Sequence, residues 1–194
     1  MLDERGLDLL FRQARSHNAW LDRPVSEAQL RALYEILKWG PTTTNSQPAR
    51  FLFLRAAAEK DKLAAFASPA NQPKIKTAPV VAIVAFDLRF YENLGRTFPH
   101  NQAARSWFEG KDQHIATTAL RNGSLQGAYM IVAARAIGLD CGPMSGFDNA
   151  KVDAAFFPDG RFKSNFICGL GYGDPAKVMP RNPRLEFDEV CKVV

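Results

Sequence analysis

The stretch from His114 to Ile137 constrains this fold more than any other part of the chain. It consists mostly of good helix formers, and Leu125, Ala128, Tyr129, Val132, Ala133, Ala136 and Ile137 give it a broad apolar face. Small residues recur along it at Ala116, Ala119, Gly123 and Gly127. Asn122-Gly123 could be a turn that splits the helix, or a point where a buried helix tolerates glycine because another backbone packs close. The spacing of the small residues favours one continuous central helix. A chain of 194 residues built around such a helix is expected to form one domain, residues 1–194, of α/β or α+β class with a full hydrophobic core.

The remaining periodicities fill in around that helix. Leu7, Leu10, Phe11 and Ala14 have the spacing of an amphipathic helix, which Arg15 and Ser16 leave. Ser26 is a candidate N-cap for a second helix carrying Leu30, Leu33, Tyr34 and Leu37, stopped by Gly40-Pro41. Phe51–Leu54, Pro79–Phe86 and Phe166–Leu170 read as apolar strands, the second of them central. Glu59–Ala67 and Val152–Phe157 read as short helices, and Asp140–Phe147 as a loop of glycine, proline and small residues. Phe90–Glu109 has no clean period and reads as a lid or capping segment. The tail from Asp174, with Pro175, Pro180 and Pro183, should be extended and wrap across something, a second subunit being the natural candidate.

Composition excludes several classes. The net charge of +5 comes from lysines and arginines scattered among acids, not gathered in a run, so nucleic acid is not the expected partner. Such a field suits small anions, including phosphorylated cofactors and carboxylate substrates. No apolar run approaches the roughly 20 residues of a membrane span, and the first turns do not resemble a signal peptide. A cytoplasmic protein without a membrane partner is expected. Cys141, Cys168 and Cys191 form no CxxC pair, and His17, His100 and His114 lack metal-ligand spacing, so neither a disulfide framework nor a metal is expected.

Two segments could carry chemistry. Pro41-Thr42-Thr43-Thr44-Asn45-Ser46-Gln47-Pro48-Ala49-Arg50 offers hydroxyls, amides and backbone N–H groups suited to the polar edge of a planar ligand; it could equally be a connector rich in turn formers. Gly169-Leu170-Gly171-Tyr172-Gly173 follows a strand, but Asp174-Pro175 stands where a phosphate-binding helix would have to open. It reads as a strand end. No nucleophile elbow and no carboxylate pair stands out, so the chemistry is expected to reside in a bound cofactor.

Arg15-Ser16, Pro41 to Pro48, Asn71-Gln72-Pro73-Lys74 to Ala78-Pro79, Gly138 to Phe147 and Arg184-Leu185 together resemble, in order and spacing, the FMN-dependent nitroreductase family. Trp39-Gly40-Pro41-Thr42, Pro48-Ala49-Arg50-Phe51, Arg121 to Tyr129 and Gly138 to Phe147 most resemble its malonic semialdehyde reductase subgroup. The resemblance covers nearly the whole chain. It implies an α+β fold with helices flanking a central mixed, mostly antiparallel sheet, an intertwined homodimer with an extended C-terminal tail, and FMN at the subunit interface.

The same resemblance implies site residues. Arg15, Ser16, Asn18 and Arg184 would lie near the FMN phosphate, and Asn71 and Lys74 at the pyrimidine edge of the flavin. Pro41, Thr42, Thr43 and Asn45 would come from the partner subunit. Pro143, Met144, Ser145 and Gly146 would cover the ring, with N–H groups of Ser145 or Gly146 toward the nitrogen that accepts hydride. The chain departs from the family pattern at Ala14, Asn18 and Asn182, where basic residues are common, and at Ser145, where many members have glutamate; His17 or Arg181 could compensate at the phosphate.

The activity implied is hydride transfer from NADH or NADPH through FMN to a small-molecule acceptor, malonic semialdehyde on the subgroup resemblance. The alternatives are a broad nitroaromatic or quinone reductase and a non-catalytic flavin- or peptide-binding module. No acidic or basic ribose reader distinguishes NADH from NADPH, and no catalytic acid is assigned.

Overall fold

A computed structural model describes residues 1–194. Helix α1, Glu27–Leu37, begins where Ser26 and Gln29 cap each other: the Ser26 hydroxyl accepts from the Gln29 N–H at 3.2 Å, and the Gln29 side chain accepts from the Ser26 N–H at 3.0 Å. Its Leu30, Leu33 and Leu37 are buried. There follow β1 (Ala49–Leu54), α2 (Ala57–Ala64), α3 (Gln72–Thr77), β2 (Val80–Asp87), α4 (Asp112–Ala136), β3 (Asp140–Met144), α5 (Asn149–Phe156) and β4 (Phe162–Gly171).

The four strands form one sheet in the order β1-β2-β4-β3, every neighbouring pair antiparallel. Ser16 adds a parallel bridge to Cys141 of β3, so that edge is mixed. Strand β2 is buried along its whole length, and its alternating side chains divide the core. Val80, Ala82 and Val84 face α1 and α4, where Leu33, Leu37, Met130 and Ala134 pack; Val81, Ile83 and Ala85 face Leu63, Ile75 and Val152 of α2, α3 and α5.

Helix α4 runs unbroken through Asn122-Gly123. A Cβ on Gly123 would lie 3.1 Å from Cβ of Phe86, and one on Gly127 would lie 2.6 Å from the ring of Phe166. The small residues let the helix sit close on the sheet.

The expectations for Asp140–Phe147 and for the first helix need correction. Asp140–Met144 is an edge strand paired with β4, not a loop; an edge position tolerates Pro143, which has no N–H to donate. The first helix is a turn at Glu4–Leu7 continued by a wider π-type turn at Asp8–Arg12, with no residue buried. Helix α3 was hidden by its brevity and by Pro73 in its first turn. Phe90–Glu109 folds as short turns whose Phe90, Leu94, Ala104 and Phe108 form a small core with Ile115 and Ala119 of α4. The tail is extended apart from single turns at Pro175–Lys177 and Phe187–Val190, and residues 181–194 are exposed.

Candidate functional site

The predicted residues fall into two groups on opposite edges of the sheet. At the β3 edge, Arg15–His17 lies alongside the strand, with the His17 N–H donating to the Cys141 carbonyl at 2.9 Å. Gly142 makes this approach possible, because a Cβ there would meet the His17 carbonyl oxygen at 2.2 Å. The Arg15 guanidinium donates to the Met179 carbonyl. Arg181 reaches back to the carbonyls of Arg12 and Ala14 at 2.7 and 2.9 Å. Three cations of this region, Arg15, Arg181 and Arg184, bond only to backbone carbonyls and have no acidic partner.

Arg184 donates to the carbonyls of its neighbours Asn182 and Pro183 and makes no hydrogen bond to the Arg15–Asn18 segment. Ser16 and Asn18 are exposed. His17 turns inward: its side chain is buried, with Nε2 3.4 Å from an Asp140 carboxylate oxygen. Of the two residues considered as substitutes for the missing basic side chains, Arg181 is the one placed at the surface beside Arg15.

At the other end of β3, the Gly146 carbonyl accepts from the Ser68 N–H at 2.9 Å and from the Asn71 amide at 3.2 Å. A Cβ on Gly146 would lie 2.8 Å from both Asn71 Nδ2 and Ser68 Oγ, so a larger residue there would displace these two side chains. The N–H groups of Ser145 and Gly146 donate to no protein acceptor. Pro143, Ser145 and Gly146 are exposed, whereas the Met144 side chain is buried in the core against α3 and β4. Lys74, on α3, is half-buried and forms no ion pair, unlike Lys76, which lies 3.4 Å from Asp61.

Pro41, Thr42, Thr43 and Asn45 lie at the opposite edge, in the loop that enters β1. The Thr43 N–H donates to Asn122 Oδ1 at 2.8 Å, and the Asn45 amide donates to the Thr97 carbonyl at 2.8 Å. A cleft of about 910 Å³ opens beside this loop, between α1, β1 and Asn93–Thr97, lined in part by Arg31, Arg50, Arg55 and Arg96. One protomer therefore does not bring Pro41–Asn45 to Pro143–Gly146.

The glycine-rich run has a packing explanation. A Cβ on Gly169 would meet the Trp20 ring at 2.6 Å, and one on Gly173 the His17 ring at 1.9 Å. Ser68, Asn122 and Gln126 were not singled out for the site, since each acts on a segment far away in sequence. No group of His, Cys, Asp or Glu is placed to hold a metal ion, and no helix is long and apolar enough to cross a membrane.

The architecture is that of the nitroreductase fold. A nitroreductase structure from Bacillus subtilis superposes with a TM-score of 0.90 at 22% identity, over 99% of this chain and all of that one. A nitroreductase structure in complex with FMN, from Exiguobacterium sibiricum, superposes with a TM-score of 0.86 at 20% identity, over 100% of this chain and 98% of that one. In sequence, the nitroreductase family profile matches residues 11–172, and the chain belongs to the nitroreductase family. It is 58% identical to a Ralstonia pickettii protein with the provisional name NADH dehydrogenase/NAD(P)H nitroreductase HadB, over 95% of each chain. It is 55% identical to a protein from Stenotrophomonas maltophilia with a provisional name of the same kind, over 99% of this chain and 97% of that one.

Proposed function

We propose that this chain is an FMN-dependent oxidoreductase that takes hydride from NADH or NADPH and delivers it to a small acceptor. The observation that carries this reading is the row of uncompensated donors along β3. Arg15 and Arg181 stand at one end, and the Ser145 and Gly146 N–H groups at the other. From Cys141 to Met144 the strand rises roughly 10 Å at about 3.3 Å per residue, comparable in length to an extended ribityl phosphate.

These residues fit the cofactor. Guanidinium forks suit phosphate oxygens, and Arg15, Arg181 and Arg184 have no acid to neutralise them. The Asn71 amide and Lys74 ammonium supply donors and positive charge for the polar edge of the ring, and the Ser145 and Gly146 N–H groups favour negative charge that develops beside them. Bound FMN supplies the hydride chemistry. The protein's task is to orient and polarise it.

A homodimer supplies the rest. The loop Pro41–Asn45 lies at the β1 edge, three strand spacings or about 14 Å from β3, so it serves the partner's β3 edge and not its own. The exposed Leu185, Phe187, Val190 and Val193 of the tail provide apolar surface for the same association. Residues 1–194 act as one domain, in the cytoplasm. The acceptor on this reading is malonic semialdehyde, reduced to 3-hydroxypropionate. Sequence resemblance supports that choice, together with the uncharged Ser145 where a glutamate would repel a carboxylate. A broader range of nitroaromatics and quinones is the second reading, favoured by the names of the relatives.

Purified protein should be yellow, release FMN on denaturation and bleach anaerobically with NADH or NADPH. Rates with malonic semialdehyde, menadione and a nitrofuran, measured side by side, separate the two acceptor classes. Colourless protein that cannot be loaded refutes the reading, and yellow protein that does not bleach points to a binding module.

A further inference from the structure

The loop between Pro41 and Ala49 holds an unusual backbone. Thr44, Asn45 and Gln47 have φ of 51°, 48° and 44°, in the left-handed region that non-glycine residues seldom occupy. Such conformations persist where the surroundings over-determine them, and they cluster at ligand-binding segments. Here the surroundings are two side-chain amides of the central helix. The Thr43 N–H donates to Asn122 Oδ1 at 2.8 Å and the Ala49 N–H to Gln126 Oε1 at 2.8 Å. Asn122 Nδ2 donates to the Thr118 carbonyl at 2.9 Å, which fixes which way its amide points.

Asn122 and Gln126 are four residues apart on one face of α4, and both are buried. Neither acceptor oxygen is used by the helix itself. Asparagine is a poor residue for a helix interior, and a buried amide costs free energy unless its partners are present. Their acceptor oxygens are used instead on the two ends of the loop. Within it, the Gln47 N–H donates to Thr42 Oγ1 at 3.1 Å, and the Gln47 amide to Asn45 Oδ1 at 2.9 Å. The helix thus clamps the ends and the loop braces its own middle.

We infer that Asn122 and Gln126 are positioning residues that hold the Pro41–Gln47 strip in its left-handed shape and thereby set the affinity for FMN, an inference that rests on the flavin reading above. Both side chains are buried, and each gives its acceptor oxygen to the backbone of the strip's ends. They act by presenting the strip's hydroxyls and amides already ordered, so that binding does not have to pay for ordering them.

The test compares apo-protein of the parent with Asn122→Ala, Asn122→Asp, Gln126→Leu and the core variant Val152→Ala. It reads FMN affinity by fluorescence quenching, amide hydrogen exchange over residues 42–49, and Tm. Asn122→Ala and Gln126→Leu should each weaken FMN binding by about tenfold, the effect of one lost hydrogen bond, and accelerate exchange in the strip. Asn122→Asp retains an acceptor oxygen for Thr43 and should lose less than Asn122→Ala. Val152→Ala should lower Tm without moving either of the other readouts. Binding within about twofold of the parent in the alanine and leucine variants overturns the inference while leaving the flavin reading intact. Equal weakening by Val152→Ala also overturns it. A parent that binds no FMN overturns both, and is told apart because it fails before any substitution is made.

Discussion

The Phe166 ring occupies the space that a side chain on Gly127 would need, 2.6 Å from the position of its Cβ. Helix α4 and strand β4 are fitted to each other at that point, with Val84 Cγ1 only 3.3 Å away. Gly127→Val forces the helix off the sheet or the ring out of its packing. A loss of about 2 kcal/mol is expected by chemical denaturation, although glycine is itself a poor helix residue. An unchanged or raised midpoint would show that the contact is not tight.

Asp87 is buried at the end of β2, with its carboxylate held by Arg161 at 2.8 Å through two nitrogens and by Arg50 at 2.6 Å. Asp87→Ala removes the one acid paired with Arg50 and leaves Arg161 with Glu92 alone, at 3.2 Å. The expected cost is about 3 kcal/mol, toward the lower end for a broken buried pair because both arginines keep some access to water. Thermal unfolding measures it. A shift as small as that of an exposed pair such as Arg31–Glu27 would count against the assignment.

Asp148 caps α5 by accepting the Lys151 N–H at 3.1 Å, and this hydrogen bond holds its carboxyl below the usual carboxylate range. The ionised form is therefore the one the folded state prefers. Its contribution is fully present above the unfolded-state value of about 3.9 and is lost as pH falls through the lower folded value. The stability gap between parent and Asp148→Ala should be widest near neutral pH and shrink toward pH 2. A gap that stays constant, or widens in acid, would mean that the cap does not depend on charge.

If Arg15 and Arg181 hold the FMN phosphate as proposed, Arg15→Ala and Arg181→Ala should each raise the FMN dissociation constant by roughly ten- to a hundredfold, the effect of losing a charge-assisted contact. Arg105→Ala, which removes a cation already paired with Glu109, should leave it unchanged. Fluorescence titration of the apo-proteins distinguishes these outcomes, and an equal effect at all three positions would indicate a general field in place of a phosphate site.

Ser145→Glu places a carboxylate on the exposed turn beside Gly146. If malonic semialdehyde is the acceptor, as proposed, the ratio of its kcat/KM to that for uncharged menadione should fall by about tenfold, from repulsion between the two carboxylates. A variant that reduces the semialdehyde as efficiently as its parent would remove the argument that Ser145 selects for an acidic acceptor.

Much of the fold was legible because it is local. Ser26, Leu30, Leu33 and Leu37 state where α1 starts and which face it buries, and the unbroken apolar run of β2 marks a central strand. The small residues of α4 announced a close neighbour without naming it. Strand β3 was not legible, since Gly142-Pro143 has the composition of a turn and becomes a strand only through its pairing with β4. For the candidate site, resemblance to the family named segments in order, Arg15-Ser16, Asn71, Lys74 and Ser145-Gly146. Their geometry was not legible.

The sequence by itself determined which segments are helices and strands wherever hydrophobic period and capping residues agree, because those preferences act over a few residues. Only the tertiary structure decided that Asn71 and Ser68 meet at the Gly146 carbonyl, that Arg181 and not His17 stands beside Arg15, and that Asn122 and Gln126 hold the strained strip before β1. Each of these is a hydrogen bond between groups far apart in the chain. Such a bond forms only after the sheet and the long helix have closed around the core, and no short stretch of residues carries its signal.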